Sequence, residues 1–214
     1  MKTDYQKIIK DLEFLLKRYS NEMRAMVNPF RLENKRLEHS EYRFVPGDRD
    51  VQETLMEHVG MLPVLAVYFH SQIEEEVDLG RVLSMLAIHD IGELIHGDKN
   101  VFIKEAKDAV AETEAALSLL DKRYHNLYLE YEEQATNEAK FAKSVDKIAP
   151  DILDILTNTQ VTIERLKYFA NLEPGDIALA IEAKKSPYMQ WSTFFKSFHS
   201  DVNKELKEMF PPTE

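Results

Sequence analysis

His89 and Asp90 stand side by side at the end of an apolar run, in RVLSMLAIHDIGELIHGDK. Neither residue suits a buried stripe, so the fold must supply a partner that offsets their desolvation. A divalent metal would do so, and the chain holds two further ligands of the right type: His58 in ETLMEHVGML and Asp146 in AKFAKSVDKIAP. Imidazole with carboxylate suits Mn, Fe, Co, Ni, Zn or Mg-like ions, and mixed N/O ligation with open positions favours catalysis over a structural role. Four protein ligands would leave about two positions of an octahedron for water and substrate, and a bound ion makes its water nucleophilic near neutral pH. Alone, a His-Asp dipeptide fits a surface or a cap equally well. The apolar run before it, the Gly-containing turn after it, and the flanking His and Asp favour a ligand pair.

Adjacent helical residues point about 100° apart, so the doublet reaches one ion only from a helix end. The other ligands must come from other helices, as a clamp across a bundle. Helical periodicity accordingly dominates the chain, and convincing strands are absent. Ile8, Ile9, Leu12, Leu15 and Leu16 make one stripe of an N-terminal helix, and 20–38 reads as a second helix or helix pair broken at Asn28-Pro29. The stretch 39–51, centred on Pro46-Gly47-Asp48, is a loop. From Gln52 to about Gln72 helical spacing carries His58, with Pro63 a candidate kink, and Asp78 resembles an N-cap for the helix ending in the doublet. A helix over about 103–123 and two more helices follow, the second carrying Asp146 with Pro150 a bend or restart. Pro174-Gly175 precedes one last amphipathic helix through about Met209. The expectation is an all-α, single-domain helical bundle over 1–214, without repeat or linker.

Composition narrows the chemistry. The 214 residues are 44% hydrophobic and 30% charged, enough for a real core. With no cysteine, thiolate sites, disulfides and Cys nucleophiles are excluded. The net charge of −11 argues against a nucleic-acid polymer as partner, but a metal and a few local cations can still hold a small phosphorylated substrate. The N-terminus lacks a secretory h-region, and no stretch approaches the roughly 18–20 apolar residues of a membrane span. A cytoplasmic protein is expected.

The segments EHVGML, AIHDIGELIHGD and TNEAKFAKSVDKI, in that order, resemble the HD-domain metal-dependent phosphohydrolases, in particular the 5′-deoxynucleotidase-like branch. The resemblance covers about 43–156, with helices 1–38 and 157–214 packed on that core. It implies His58, His89, Asp90 and Asp146 as ligands of one divalent ion. It implies Glu93 as a catalytic acid, able to relay a proton to the leaving oxygen. Asp98 would orient the water or substrate, and Arg43 would grip phosphate bidentately. The bland alternatives are a capping Glu93, a turn at Asp98 and an exposed ion pair of Arg43 with Glu41, with Arg49 as the nearby substitute. The implied activity is release of phosphate from a small nucleotide, a (deoxy)nucleoside 5′-monophosphate; a homodimer is a separate expectation.

Other readings keep the site and change the chemistry. HD bundles with two metals act on cyclic dinucleotides or as di-iron oxygenases, but need extra ligands between doublet and last Asp, where only His96, His125 and scattered acids stand. The chain could also be an HD-type hydrolase of another phosphorylated metabolite, or a non-catalytic metal- and nucleotide-binding regulator. His39, His70, His125 and His199 lack partners at ligand spacing and read as surface or interface residues, and His96 as structural or exposed. Lys99, Lys104 and Lys147 would add positive potential at a cleft. Trp191, Phe194, Phe195 and Phe198 read as core or dimer packing before base stacking.

Overall fold

A computed structural model describes residues 5–34 and 42–211. It is all-α apart from one two-stranded sheet. Helix α1 (Tyr5–Asn21) leads into strand β1 (Met23–Val27), the short helix α2 (Pro29–Asn34) and strand β2 (Gln52–Thr54). The site-bearing helices are α3 (Leu55–His70), α4 (Leu79–Ile88), α5 (Glu93–His96), α6 (Ala106–Leu119), α7 (His125–Glu133) and α8 (Asn137–Leu156). Helices α9 (Thr159–Ala170), α10 (Ile177–Lys185) and α11 (Thr193–Met209) complete the order.

The sheet corrects the expectation of a second helix over 20–38. Met23 pairs with Thr54 and Val27 with Gln52, antiparallel, across the loop that the sequence does mark. Four of the five β1 residues are buried, so a partner distant in sequence decides their conformation. The Asn28-Pro29 break is real: Asn28 Oδ1 accepts from the N–H groups of Phe30 and Arg31 at 3.0 and 3.3 Å and starts α2. Gln52 therefore opens a strand rather than a helix. Helix α3 begins at Leu55 because Thr54 and Glu57 form a capping box: Thr54 Oγ1 accepts from Glu57 N at 3.2 Å and Glu57 Oε2 from Thr54 N at 2.8 Å.

Pro63 lies within α3 and Pro150 within α8, and both helices continue through them. Asp78 caps α4 as expected, accepting from Arg81 N at 3.1 Å. The helix expected over 103–123 is trimmed to α6, and the last helix is two, with a 3₁₀ turn at Ser186–Met189 between them. The N-terminal stripe is mostly exposed: Ile9, Leu12 and Leu16 face solvent, while Leu15 and Tyr19 pack inward.

Helix α8 is the hub, touching α3, α4, α7, α9 and α11. Its Phe141, Val145, Ile148 and Ala149 join Leu62, Ala66, Met85 and Leu86 in the main core. Trp191 packs against Phe141 and Phe195 in that core and donates Nε1–H to Ser144 Oγ at 2.8 Å. Among the described residues no helix is long and apolar enough to cross a membrane.

Candidate metal centre and its cavity

Three helices bring His58, His89 and Asp146 to one point, with Asp90 against the two histidines. His58 projects from the first turn of α3, His89 and Asp90 follow the last residue of α4, and Asp146 lies midway along α8. His58 Nε2 is 3.3 Å from Asp146 Oδ1 and 3.5 Å from Asp90 Oδ2. His89 Nε2 is 2.9 Å from Asp90 Oδ2 and 3.6 Å from Asp146 Oδ1. An ion bound at 2.0–2.2 Å places neighbouring ligand atoms about 3.0–3.5 Å apart, which is this spacing. His89 Nε2 and Asp90 Oδ2 are buried without a hydrogen-bond partner, so the donor set fits a divalent cation.

Outer contacts aim these atoms. His89 Nδ1 faces Leu86 O at 2.9 Å, which turns Nε2 towards the carboxylates. Tyr131 donates its hydroxyl to Asp146 Oδ2 at 2.9 Å, and Lys147 Nζ lies 2.8 Å from the same oxygen, leaving Oδ1 to the centre. Burial and the Arg24 guanidinium push His58 down to about 4, so it is neutral and able to ligate at neutral pH. Burial opposes the charge of His89, but Asp90 and Asp146 outweigh it and lift His89 to about 9. Burial also opposes the charges of Asp90 and Asp146. His89 nevertheless holds Asp90 below the usual carboxylate range, and Lys147 with the two histidines holds Asp146 there. The centre therefore favours positive charge between two carboxylates.

The centre opens into a cavity of about 990 Å³, mouth included, walled by β1 and by residues of α5–α10. Glu93 enters it as the first residue of α5, almost fully buried, and its Oε2 has no partner. Burial, then Asp90 and Asp98, raise Glu93 well above the usual carboxyl range, which favours its neutral form. Asp98 accepts from Ala25 N at 2.8 Å and lies 3.8 Å from Arg24 Nε, tying β1 to the site.

Arg43 is not among the residues lining this cavity; its largely exposed side chain lies 3.6 Å from Glu164. Glu41 and His39 lie outside the described residues. Arg24 stands in the cavity wall instead. It is 9% exposed, and its Nε and Nη1 make no hydrogen bond, the nearest carboxylates, Asp98 and Glu53, being 3.8 Å away. Sequence reasoning missed Arg24 because it lies on the unrecognised strand. It also missed Tyr131, Glu112, Lys143, Asp151, Asp154, Arg165 and Lys185, all in the cavity wall. A signal was present: Lys143, Asp146, Lys147, Asp151 and Asp154 recur at helical spacing, a polar stripe opposite an apolar one.

Lys104 and Lys99 line the cavity but pair with Glu112 and Asp108, and Asp90, Glu93 and Glu112 form a second acidic group beside the centre. The other histidines lie elsewhere. His96 is exposed, while His70 and His125 face the carbonyls of Val77 and Leu120. His199 corrects the expectation of a surface or interface residue: it is 3% exposed within the chain's own fold and beside Asn203.

The model of the HD domain family matches residues 42–173, more than half of the chain. The chain belongs to the HD domain family. The matched span contains all four candidate ligands and runs past the segment where the motifs end, whereas Arg24 and Lys185 fall outside it. A solved structure from Magnetospirillum magnetotacticum MS-1, described as a predicted metal-dependent phosphohydrolase, shares this HD-domain fold. It matches with a TM-score of 0.63 over 97% of this chain and 98% of that one, at 19% identity. No curated protein matches the sequence.

Proposed function

We propose that this HD-domain protein is a metal-dependent phosphohydrolase that releases phosphate from a small nucleotide, a (deoxy)nucleoside 5′-monophosphate, as in the 5′-deoxynucleotidase-like branch. The observation that carries the reading is the meeting, beside one cavity, of closely spaced His and Asp ligand atoms, a buried acid whose neutral form is favoured, and a buried guanidinium whose Nε and Nη1 make no hydrogen bond. His58, His89, Asp90 and Asp146 would hold one divalent ion, which when bound supplies Lewis-acid charge to a phosphate oxygen and lowers the pKa of water.

The chain's own groups do the rest. Arg24 offers the planar donors that match phosphate, a role the sequence alone suggested for Arg43. Asp98 fixes the strand that carries Arg24 and so positions it. Glu93, kept neutral by its buried acidic surroundings, gives its proton to the leaving 5′ oxygen. Lys147 balances Asp146. The setting assigned to it is a cytoplasmic homodimer acting on small molecules, with neither nucleic-acid polymer nor membrane as partner.

The test is phosphate release from a panel of ribo- and deoxyribonucleoside 5′-monophosphates by protein loaded in turn with Mn, Co, Fe, Ni, Zn and Mg. Turnover of the panel, abolished by Asp90→Ala and cut about a hundredfold or more by Arg24→Ala, is the expected result. A panel left untouched under every metal, or an Asp90→Ala protein with full activity, refutes the reading.

A further inference from the structure

The cavity has two ends of different electrostatic character, and the function proposed above uses only one. Helix α8 forms its long wall through Lys143, Asp146, Lys147, Pro150, Asp151 and Asp154. At 1.5 Å per residue, Asp151 lies about 7.5 Å and Asp154 about 12 Å along the helix from the metal ligand Asp146. A bare phosphate at the metal would leave this length unused.

At the metal end one cation has donors to offer: Arg24, 3.8 Å from Glu53 and Asp98, makes no hydrogen bond through Nε or Nη1. At the far end cations and acids are matched. Lys185 of α10 donates to Asp151, while Arg165 of α9 donates to Asp154 at 2.6 Å and to Ala25 O at 2.7 Å. Matched pairs have little net charge with which to attract a second anion, yet they keep hydrogen-bonding capacity. One group is left unmatched: Asp151 Oδ2, fully buried in the cavity wall, has no partner. A pair serving only to pin α8 to α10 would not need that oxygen left bare. Met26, Phe102, Leu166 and Ile181 supply apolar surface to the same cavity, suited to a flat ring. Burial raises Asp151 to about 6, with Lys185 opposing it, so near pH 7.5 its free oxygen only accepts.

We propose that Asp151, anchored by Lys185, is a recognition subsite for the nucleoside half of the substrate, taking a hydrogen bond from a base amine or a sugar hydroxyl. This deepens the phosphohydrolase reading and rests on it for where the phosphate sits. Neutral polar recognition at one end and anion binding at the other orient the ligand along α8.

The test measures binding by calorimetry, in the presence of Mn²⁺, with 5′-methylenephosphonate analogues of adenosine, inosine and 2′-deoxyadenosine, which lack the cleavable ester oxygen, and with methylphosphonate as the bare anion. The adenosine analogue is expected to bind more tightly than methylphosphonate, and Asp151→Asn to reduce that advantage about tenfold or more. If the variant erases a preference for adenosine over inosine, the donor is the base amine. If it erases a preference for the ribose over the deoxyribose compound, the donor is the hydroxyl. Nucleoside analogues binding no tighter than methylphosphonate, or an Asn variant that weakens both ligands equally, overturn the proposal. If the Asn protein fails to fold, Asp151→Ala, which removes both oxygens without adding bulk, is read in the same way. Phosphate release from ordinary monophosphates is assayed separately: discrimination without turnover would sink the hydrolase reading and leave this one standing.

Discussion

Gly92 sits between the candidate ligand Asp90 and the acid Glu93, at the start of α5 and against the backbone of Glu112 in α6. A Cβ there would lie 3.0 Å from both the carbonyl carbon and the Cγ of Glu112, and closer still to its carbonyl oxygen. Ordinary contacts between such atoms are about 3.5 Å or more, so Gly92→Ala must separate two backbones by roughly 1 Å. Packed backbone does not yield as a side-chain tip does, and overpacking of this kind costs about 1–3 kcal/mol. For a chain of this size that lowers Tm by about 2–12 °C. The displacement falls on the residue next to Glu93, and about 1 Å at a reacting group costs on the order of a hundredfold in rate. Gly60, within α3, is the internal control, since a Cβ there meets nothing within 4 Å; Gly60→Ala is expected to be neutral or to stabilise by up to about 1 kcal/mol. The assay pairs thermal unfolding with phosphate-release kinetics on both proteins. Wild-type stability and turnover in Gly92→Ala would refute the close approach of α5 and α6 and the placement of Glu93 that depends on it.

Tyr131→Phe removes the hydroxyl that holds Asp146 Oδ2 and should weaken metal affinity about 10–100-fold, read by competition with a chelator; unchanged affinity would disconnect Tyr131 from the centre. Because burial, Asp90 and Asp98 raise Glu93, its protonated form persists near neutrality and kcat/KM should fall as pH rises through its elevated pKa. Glu93→Gln should lower activity and abolish that alkaline limb, whereas a limb that survives belongs to another group. Glu53, lifted to about 7 mainly by burial, keeps a proton in the folded state that it loses near 4.5 when unfolded. Its contribution to stability, on the order of 3 kcal/mol, is complete below pH 4.5 and lost as pH rises to 7, a slope that Glu53→Gln should remove from denaturant titrations. Arg165→Met strands the buried carboxylate of Asp154 and should cost about 3–5 kcal/mol, most of it recovered when Asp154→Leu is added; strictly additive losses in urea titrations would rule out the pair.

The His89-Asp90 pair was legible as a candidate ligand pair because its misfit is local: two groups that water solvates strongly interrupt an apolar run, and only a strong partner offsets that. His58 and Asp146 were legible for a related reason, as polar positions on helices whose periodicity is otherwise apolar. Arg24 was not legible. Its conformation is set by pairing with Gln52–Thr54 across the intervening loop, and nothing within MRAMV itself favours a strand over a helix strongly enough to decide it. Arg43 shows the converse: its place before the His58 helix suggested phosphate binding, but the fold turns its side chain to Glu164.

The sequence by itself determined the helical class, the cap that starts α4, and the donor types that exclude thiolate chemistry, because each follows from residues within a few positions of one another. Tertiary structure decided which cation faces the metal centre, which acid keeps its proton, and that the polar stripe of α8 forms the wall of a cavity. Those properties depend on burial and on charges brought together from β1, α5 and α8–α10. Desolvation and Coulomb energy follow distance in space, and the order of residues along the chain does not specify that distance.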